Sequence, residues 1–169
     1  MNLRIALYED IAKARRVLKL FVYVFVIAVV FFGSLYIGPF YILGDQLHYR
    51  EIYKNLSEFG LVDGYVYYTS TIDSLEFVHF FFSWLASSHL EKDLFIALAN
   101  GVLAWISLTL FQKWKASLFI AAFLVVTNYY FIAMYFSAER LKFGFIFVGL
   151  SFIYLDRVKL FYTFSFLAF

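Results

Sequence analysis

The feature that most constrains this chain is the run from Val17 to Leu43, which is apolar almost throughout and carries charge only at Lys19. A helix rises about 1.5 Å per residue and the hydrocarbon core of a bilayer is about 30 Å thick, so about 20 apolar residues cross it. A run of this length has to be buried from water, and it lacks the ten-residue alternation of a membrane β-barrel. Composition agrees. The 169 residues are 64% hydrophobic and 15% charged, with a mean hydropathy of +0.80, whereas a soluble domain lies near half apolar and a quarter charged. The expected fold is an all-α integral membrane protein, a polytopic helical bundle of about five to six membrane helices.

Several function classes fall away at once. The Val17–Leu43 run far exceeds the apolar region of a signal peptide, and no small-residue cleavage site ends it. Cysteine is absent, which excludes disulfides, thiolate catalysis and cysteine metal sites. The net charge of +2 comes from basic residues scattered at helix ends, so no nucleic-acid partner is expected. No Walker A loop, no GxGxxG turn and no serine elbow occurs, and no cofactor is implied.

In chain order, Arg4, Lys13, Arg15, Arg16 and Lys19 outweigh Glu9 and Asp10 in the tail. The excess reads as an orientation signal that keeps the N-terminus in the cytoplasm, in preference to an interfacial helix through Ile5, Leu7, Ile11 and Ala12. The first span occupies 18–43. Its helix runs from about Leu18 to Ile37 and is ended by Gly38 and Pro39, the sole proline. Residues 44–76 form an extracytoplasmic segment with six acidic residues against Arg50 and Lys54. Within it, Tyr49, Ile52, Tyr53, Leu56 and Phe59 or Gly60 recur at helical spacing. That predicts an amphipathic surface helix from about Gln46 to Glu58, capped by Asp45. Gly60 to Thr71 reads as an irregular loop at the aromatic belt.

Residues 77–169 hold the remaining membrane helices. Phe77 to Leu90 would cover only about 21 Å, so this segment either begins earlier or dips in and returns. If it returns, Arg140 shares a side with Asp45, and Lys113, Lys115, Arg157 and Lys159 are cytoplasmic; if it spans, the sides reverse. Charge bias favours the return. Leu94–Phe111 and Leu118–Phe136 read as spans, with Asn100 and Asn128 bonding between helices. Ser137 to Phe143 is a short connection, Gly144–Leu155 a further apolar run, and Asp156–Lys159 a tight connection. The closing apolar run from Lys159 to Phe169 falls short of about 20 residues. The single membrane domain 1–169 is therefore expected to be the N-terminal part of a longer protein.

The candidate chemistry is carried by a few polar residues. Asp45 either N-caps the surface helix or presents a carboxylate at the membrane surface, and the two roles are compatible. Arg140 lies between two apolar runs with Glu139 and Lys142, at a depth where ionisable groups are costly and tend to serve function. Its guanidinium suits bidentate capture of a phosphate or diphosphate, while a loop of self-neutralising charges is the plainer account. Glu76 and His79, three apart, share one helix face. A metal site is disfavoured, because no second Glu-x-x-His accompanies them. His48 and His89 are weaker candidates.

Taken together, these landmarks resemble the EpsG family of bacterial exopolysaccharide proteins, relatives of Wzy-type polysaccharide polymerases. Gly44-Asp45 followed by Tyr49 and Tyr53, Glu76-Phe77 opening an apolar helix, and Arg140-Leu141 opening another carry the likeness. The family's glutamine after the arginine is Leu141 here, and its proline and glycine after the glutamate are Phe77 and Val78. A surface Asp after the first helix is also similar to the GT-C class of lipid-linked sugar transferases. The resemblance implies a multi-pass glycosyltransferase of the bacterial plasma membrane. It would join polyprenyl-diphosphate-linked oligosaccharide repeats for exopolysaccharide, capsule or O-antigen, alongside other polysaccharide assembly proteins. Arg140 would hold the diphosphate leaving group, paired across the site with Asp45. Asp45 or Glu76 would deprotonate the acceptor hydroxyl. His48, Tyr49, Arg50, His79, Glu139 and Lys142 would bind substrate. The alternative is a non-enzymatic membrane subunit of a polysaccharide export or flippase assembly.

Overall fold

The computed structural model describes residues 3–41 and 45–168, apart from the side chains of residues 3–8 and of Asp45. Every regular element in it is helical. Helix α1 (Leu3–Ile37) is 35 residues long, about 52 Å, so it outruns the hydrocarbon core and carries the basic tail as continuous helix. A 3-10 turn over Gly38–Phe40 ends it, with Pro39 in the first turn, where a missing N–H costs nothing.

Three short helices follow: α2 (Asp45–Leu56), α3 (Leu61–Ile72) and α4 (Phe77–Ser87), packed on one another. They form a cap over one end of the bundle. Helix α5 (Lys92–Lys113) then runs back along α1, and α6 (Leu118–Thr127) and α7 (Tyr129–Phe136) return. Helix α8 (Glu139–Ile153) lies against α5, and α9 (Val158–Leu167) against α8.

Hydrogen bonds fix the directions. The Tyr41 hydroxyl meets Ser137 Oγ at 3.0 Å, Gln46 Nε2 donates to Phe136 O, and Arg50 joins Gly38 O to Asp93. The end of α1 and the starts of α5 and α8 are therefore at one level. At the opposite end Lys113 Nζ donates to the carbonyls of Phe152 and Ile153. The chain leaves α1 and re-enters through α5 on the same side of the bundle, as the returning form of the Phe77–Leu90 segment requires.

Among the described residues, two helices are long and apolar enough to cross a membrane, Glu9–Phe40 and Lys92–Lys113. There are three if the pair α6–α7, bent by 51°, is one span. That is fewer than the five to six expected. The physical reason is length, because α4, α8 and α9 have 11, 15 and 10 residues, each below the span of a bilayer core. The bend lies at Asn128, whose side chain caps α7 by accepting from Tyr130 N, so it does not bond between helices as expected.

Two other expectations are corrected. Gly60–Thr71 is no loop: α3 forms there and packs on α2 and α4, with Tyr68 buried and paired with His79. Ser137–Phe143 is not all connection either, since Glu139, Arg140 and Lys142 already belong to the first turn of α8. The apolar face expected on α2 is present, with Tyr49, Ile52, Tyr53 and Leu56 all buried. It packs on α4 and α5, so its neighbour is protein. The main core joins Val22, Val26 and Val30 of α1 to Leu103, Ala104 and Ile106 of α5 and to Phe143 and Ile146 of α8.

Candidate functional site

The polar residues gather where the cap meets the bundle. Lys92, the first residue of α5, points inward because α2 and α8 cover it. Its Nζ donates to Glu139 Oε2 at 2.8 Å and to Gln46 Oε1 at 3.0 Å. Gln46 in turn donates from Nε2 to Phe136 O at 3.2 Å. Both ends of the Lys92–Glu139 pair are at least nine-tenths buried. Such a pair is costly unless further hydrogen bonds support it, and Gln46 gives the Lys92 ammonium a second acceptor here.

On the other side of Glu139 stands His79 of α4, whose Nε2 is 3.6 Å from Glu139 Oε1, too long for a hydrogen bond. The other ring nitrogen, Nδ1, lies 2.7 Å from the Tyr68 hydroxyl of α3. Burial pushes the Tyr68 phenol above its ordinary pKa, followed by the carboxylate of Glu76, so the hydroxyl keeps its proton and shares one hydrogen bond with Nδ1, the imidazole tautomer deciding which of the two donates. Tyr49 of α2 packs edge-on against His79 with ring centroids 5.7 Å apart. Lys92 and Arg140 lie over its ring at 5.8 and 6.0 Å.

Arg140 follows Glu139 in α8 and turns the other way. Its Nε lies 3.8 Å from Glu76 Oε2, and both side chains are partly exposed. The two stand at the edge of a cleft of about 700 Å³ between α4, α8 and α9, whose walls include Val78, Phe143, Gly144 and Leu167. His79 lines the same cleft. Next to it lies a wholly apolar hollow of about 300 Å³ lined by Phe77, Phe81, Phe82 and Phe147. The arrangement sets a guanidinium, a carboxylate and an imidazole at the head of an apolar groove.

Of the residues singled out by sequence, Glu76, His79, Glu139, Arg140 and Tyr49 come together. The Asp45 backbone opens α2, while its side chain, and with it the expected pairing to Arg140, lies outside the described residues. Among the described residues, the carboxylate beside Arg140 is Glu76. Three others are elsewhere. His48 is on the exposed face of α2. Arg50 is spent on structure, holding Asp93 at 3.1 and 2.7 Å and Gly38 O at 2.8 Å. Lys142 is buried inside the bundle, donating to Tyr135 O at 3.0 Å, because the fourth position of α8 faces α5 and α7 and not the cleft.

Sequence reasoning missed Gln46, Lys92, Asp93 and Tyr68. Glu91-Lys92-Asp93 at the head of an apolar run reads as a solvated helix start, and no local signal marks Lys92 as the residue turned inward. No family model matches the chain, and no curated protein or solved structure matches it.

Proposed function

We propose that this protein is a membrane glycosyltransferase that joins oligosaccharide repeats carried on a polyprenyl diphosphate, working at the extracytoplasmic face of a bacterial plasma membrane with its N-terminus in the cytoplasm. The observation that supports this reading is Arg140 at the head of an apolar cleft, beside Glu76. A lipid-linked diphosphate has the matching form, a doubly charged head on a long apolar chain. On this reading the architecture is GT-C-like, with its cap of helices after the first span facing outward.

In the reaction, the acceptor hydroxyl oxygen bonds to the anomeric carbon of the donor while the bond from that carbon to the diphosphate oxygen breaks. The electron pair leaves with the diphosphate, where the Arg140 guanidinium meets the growing charge. The hydroxyl proton passes to the Glu76 carboxylate. Glu139 serves from behind, since its bonds to Lys92 keep its carboxylate inside and leave Arg140 facing the cleft.

The test is polymer formation in cells that depend on this protein for it. Arg140→Ala and Glu76→Gln are expected to lower polymer at least tenfold at unchanged protein level, with Arg140→Lys intermediate because a lysine cannot hold a phosphate in bidentate fashion. Full polymer from both severe variants removes the reading. A second reading, a non-enzymatic subunit of an export or flippase assembly, draws on the way Lys92, Glu139, His79 and Tyr68 are engaged with one another. It requires that Arg140→Ala keep full function.

A further inference from the structure

The end of the bundle away from the cap is rimmed by positive charge. Lys113 Nζ, on the last residue of α5, donates to the carbonyls of Phe152 and Ile153 where α8 ends. Tyr23 of α1 pairs with Thr109, one turn earlier in α5, and the Lys19 ammonium lies 5.4 Å from the centre of the Tyr23 ring. Arg16, Lys19, Lys115, Arg157 and Lys159 therefore stand around one end of the bundle, all exposed. Among the described residues, none of these five enters an ion pair. Asp156, the acidic residue between α8 and α9, faces Lys113 at 3.5 Å, and Glu9 and Asp10 lie beyond Arg16 on α1. The cap has the reverse balance, with Glu51, Glu58, Asp63, Asp73 and Glu91 exposed against Lys54.

Two turns carry this rim. The end of α5 closes with Ala116 N on Phe111 O at 2.9 Å and Lys115 N on Gln112 O at 3.1 Å. That closure puts Lys115 in the left-handed region, at φ 61°, where glycine is the default residue. The position is strained for any side chain, and the one it holds is an exposed cation beside Trp114, itself 63% exposed. The turn between α8 and α9 repeats the pairing, with the Arg157 guanidinium 5.8 Å from the centre of the Tyr154 ring. Aromatic rings beside cations at the end of a spanning helix match the headgroup layer of a bilayer, where rings rest at the interface and cations meet phosphate.

We propose that this rim binds the anionic phospholipid headgroups of the leaflet it lies in. The cations are spread over the ends of α1, α5 and α9, so a sheet of anions meets them together where one soluble anion would meet a few. Trp114 and Tyr154 hold them at the membrane surface, which disfavours a nucleic acid or an acidic protein. The inference is independent of any catalytic role for Arg140 or Glu76.

The test places the full chain in vesicles of equal parts phosphatidylcholine and phosphatidylglycerol, extracts it gently, and counts the lipids retained by mass spectrometry. The expected result is an excess of phosphatidylglycerol of at least about fivefold, the preference conferred by one cation near the surface. The double variant Arg157→Gln/Lys159→Gln should lower that excess, and Lys54→Gln on the cap should leave it unchanged. Lys115→Gly should lower the excess while keeping or raising Tm, because glycine relieves the left-handed backbone. Equal retention of the two lipids overturns the proposal, as does an equal loss in Lys54→Gln, which would reflect overall charge. An excess abolished by inorganic phosphate at constant ionic strength also overturns it, by showing a site for a single anion.

Discussion

Lys92 and Glu139 are 47 residues apart and meet at 2.8 Å inside the protein, between the first turns of α5 and α8. Two parallel helices are thereby fixed in register at their starts. Removing one partner leaves the other charge buried alone, which costs about 3–5 kcal/mol, whereas replacing both by apolar residues of similar size costs far less. Lys92→Met and Glu139→Leu are each expected to lower thermal stability in detergent sharply, and the double variant is expected to recover most of the loss. A double variant as unstable as the sum of the singles would mean that the two charges do not depend on each other.

Alkaline titration gives a second prediction. Burial holds the Tyr68 phenol above its ordinary pKa, and burial followed by the nearby Glu139 pushes Tyr53 up to about 12. Above pH 10 an unfolded chain releases these protons while the folded one retains them, so stability is intact below pH 10 and falls as pH rises beyond it. Tyr68→Phe should flatten that fall. It should also cost about 1–3 kcal/mol at neutral pH by leaving His79 Nδ1 unpaired. Unfolding followed at pH 7 to 11 separates the two effects.

Gly149 of α8 leans on α5, and a Cβ there would press into Ile106 Cγ2 and touch Leu110 at 3.5 Å. Gly149→Ala should therefore destabilise by about 1–3 kcal/mol through overpacking. Ile106→Ala alone should cost about 2–5 kcal/mol through the cavity it leaves. Combined, the two should cost less than their sum, since the new methyl enters the space vacated. Strict additivity in a thermal unfolding series would show that the helices do not approach as described.

Side placement is directly measurable because the chain has no cysteine of its own. Leu47, Ser137 and Lys115 are all exposed. Single cysteines at Leu47 and Ser137 should react together with an impermeant maleimide on intact cells, and one at Lys115 should stay protected until the cells are opened. Labelling at Leu47 without Ser137 would put the two segments on opposite faces and break the arrangement of the site.

What the sequence made legible was whatever depends on near neighbours along the chain. Tyr49, Ile52, Tyr53 and Leu56 recur at helical spacing, and their shared buried face could be read directly. The span read over Leu94–Phe111 was evident from its apolar run and lies within α5. Asn100 was expected to bond between helices and does so, through Ser34 and Tyr135. The rest hangs on contacts between distant residues. Helix α3 is rich in tyrosine, threonine and valine, with a central glycine, a weak helix former by itself. What holds it is its packing on α2 and α4 and Tyr68 reaching His79. The site divides in the same way. Arg140, Glu139, Glu76 and His79 stood out as charges among apolar runs, but nothing local distinguished them from Arg50, which is bound to Asp93, or Lys142, which faces inward.

The cap has a further implication for biosynthesis. Gln46 bonds to the carbonyl of Phe136, 90 residues later. At about 5–20 residues per second, the ribosome needs between roughly 5 and 20 seconds to supply that partner. Throughout that interval α2 to α4 have left α1 while the surfaces that will bury Tyr49, Gln46 and His79 are still unmade. The nascent chain must shelter this segment, in the lipid headgroup layer or against the insertion machinery, until α8 arrives to close it.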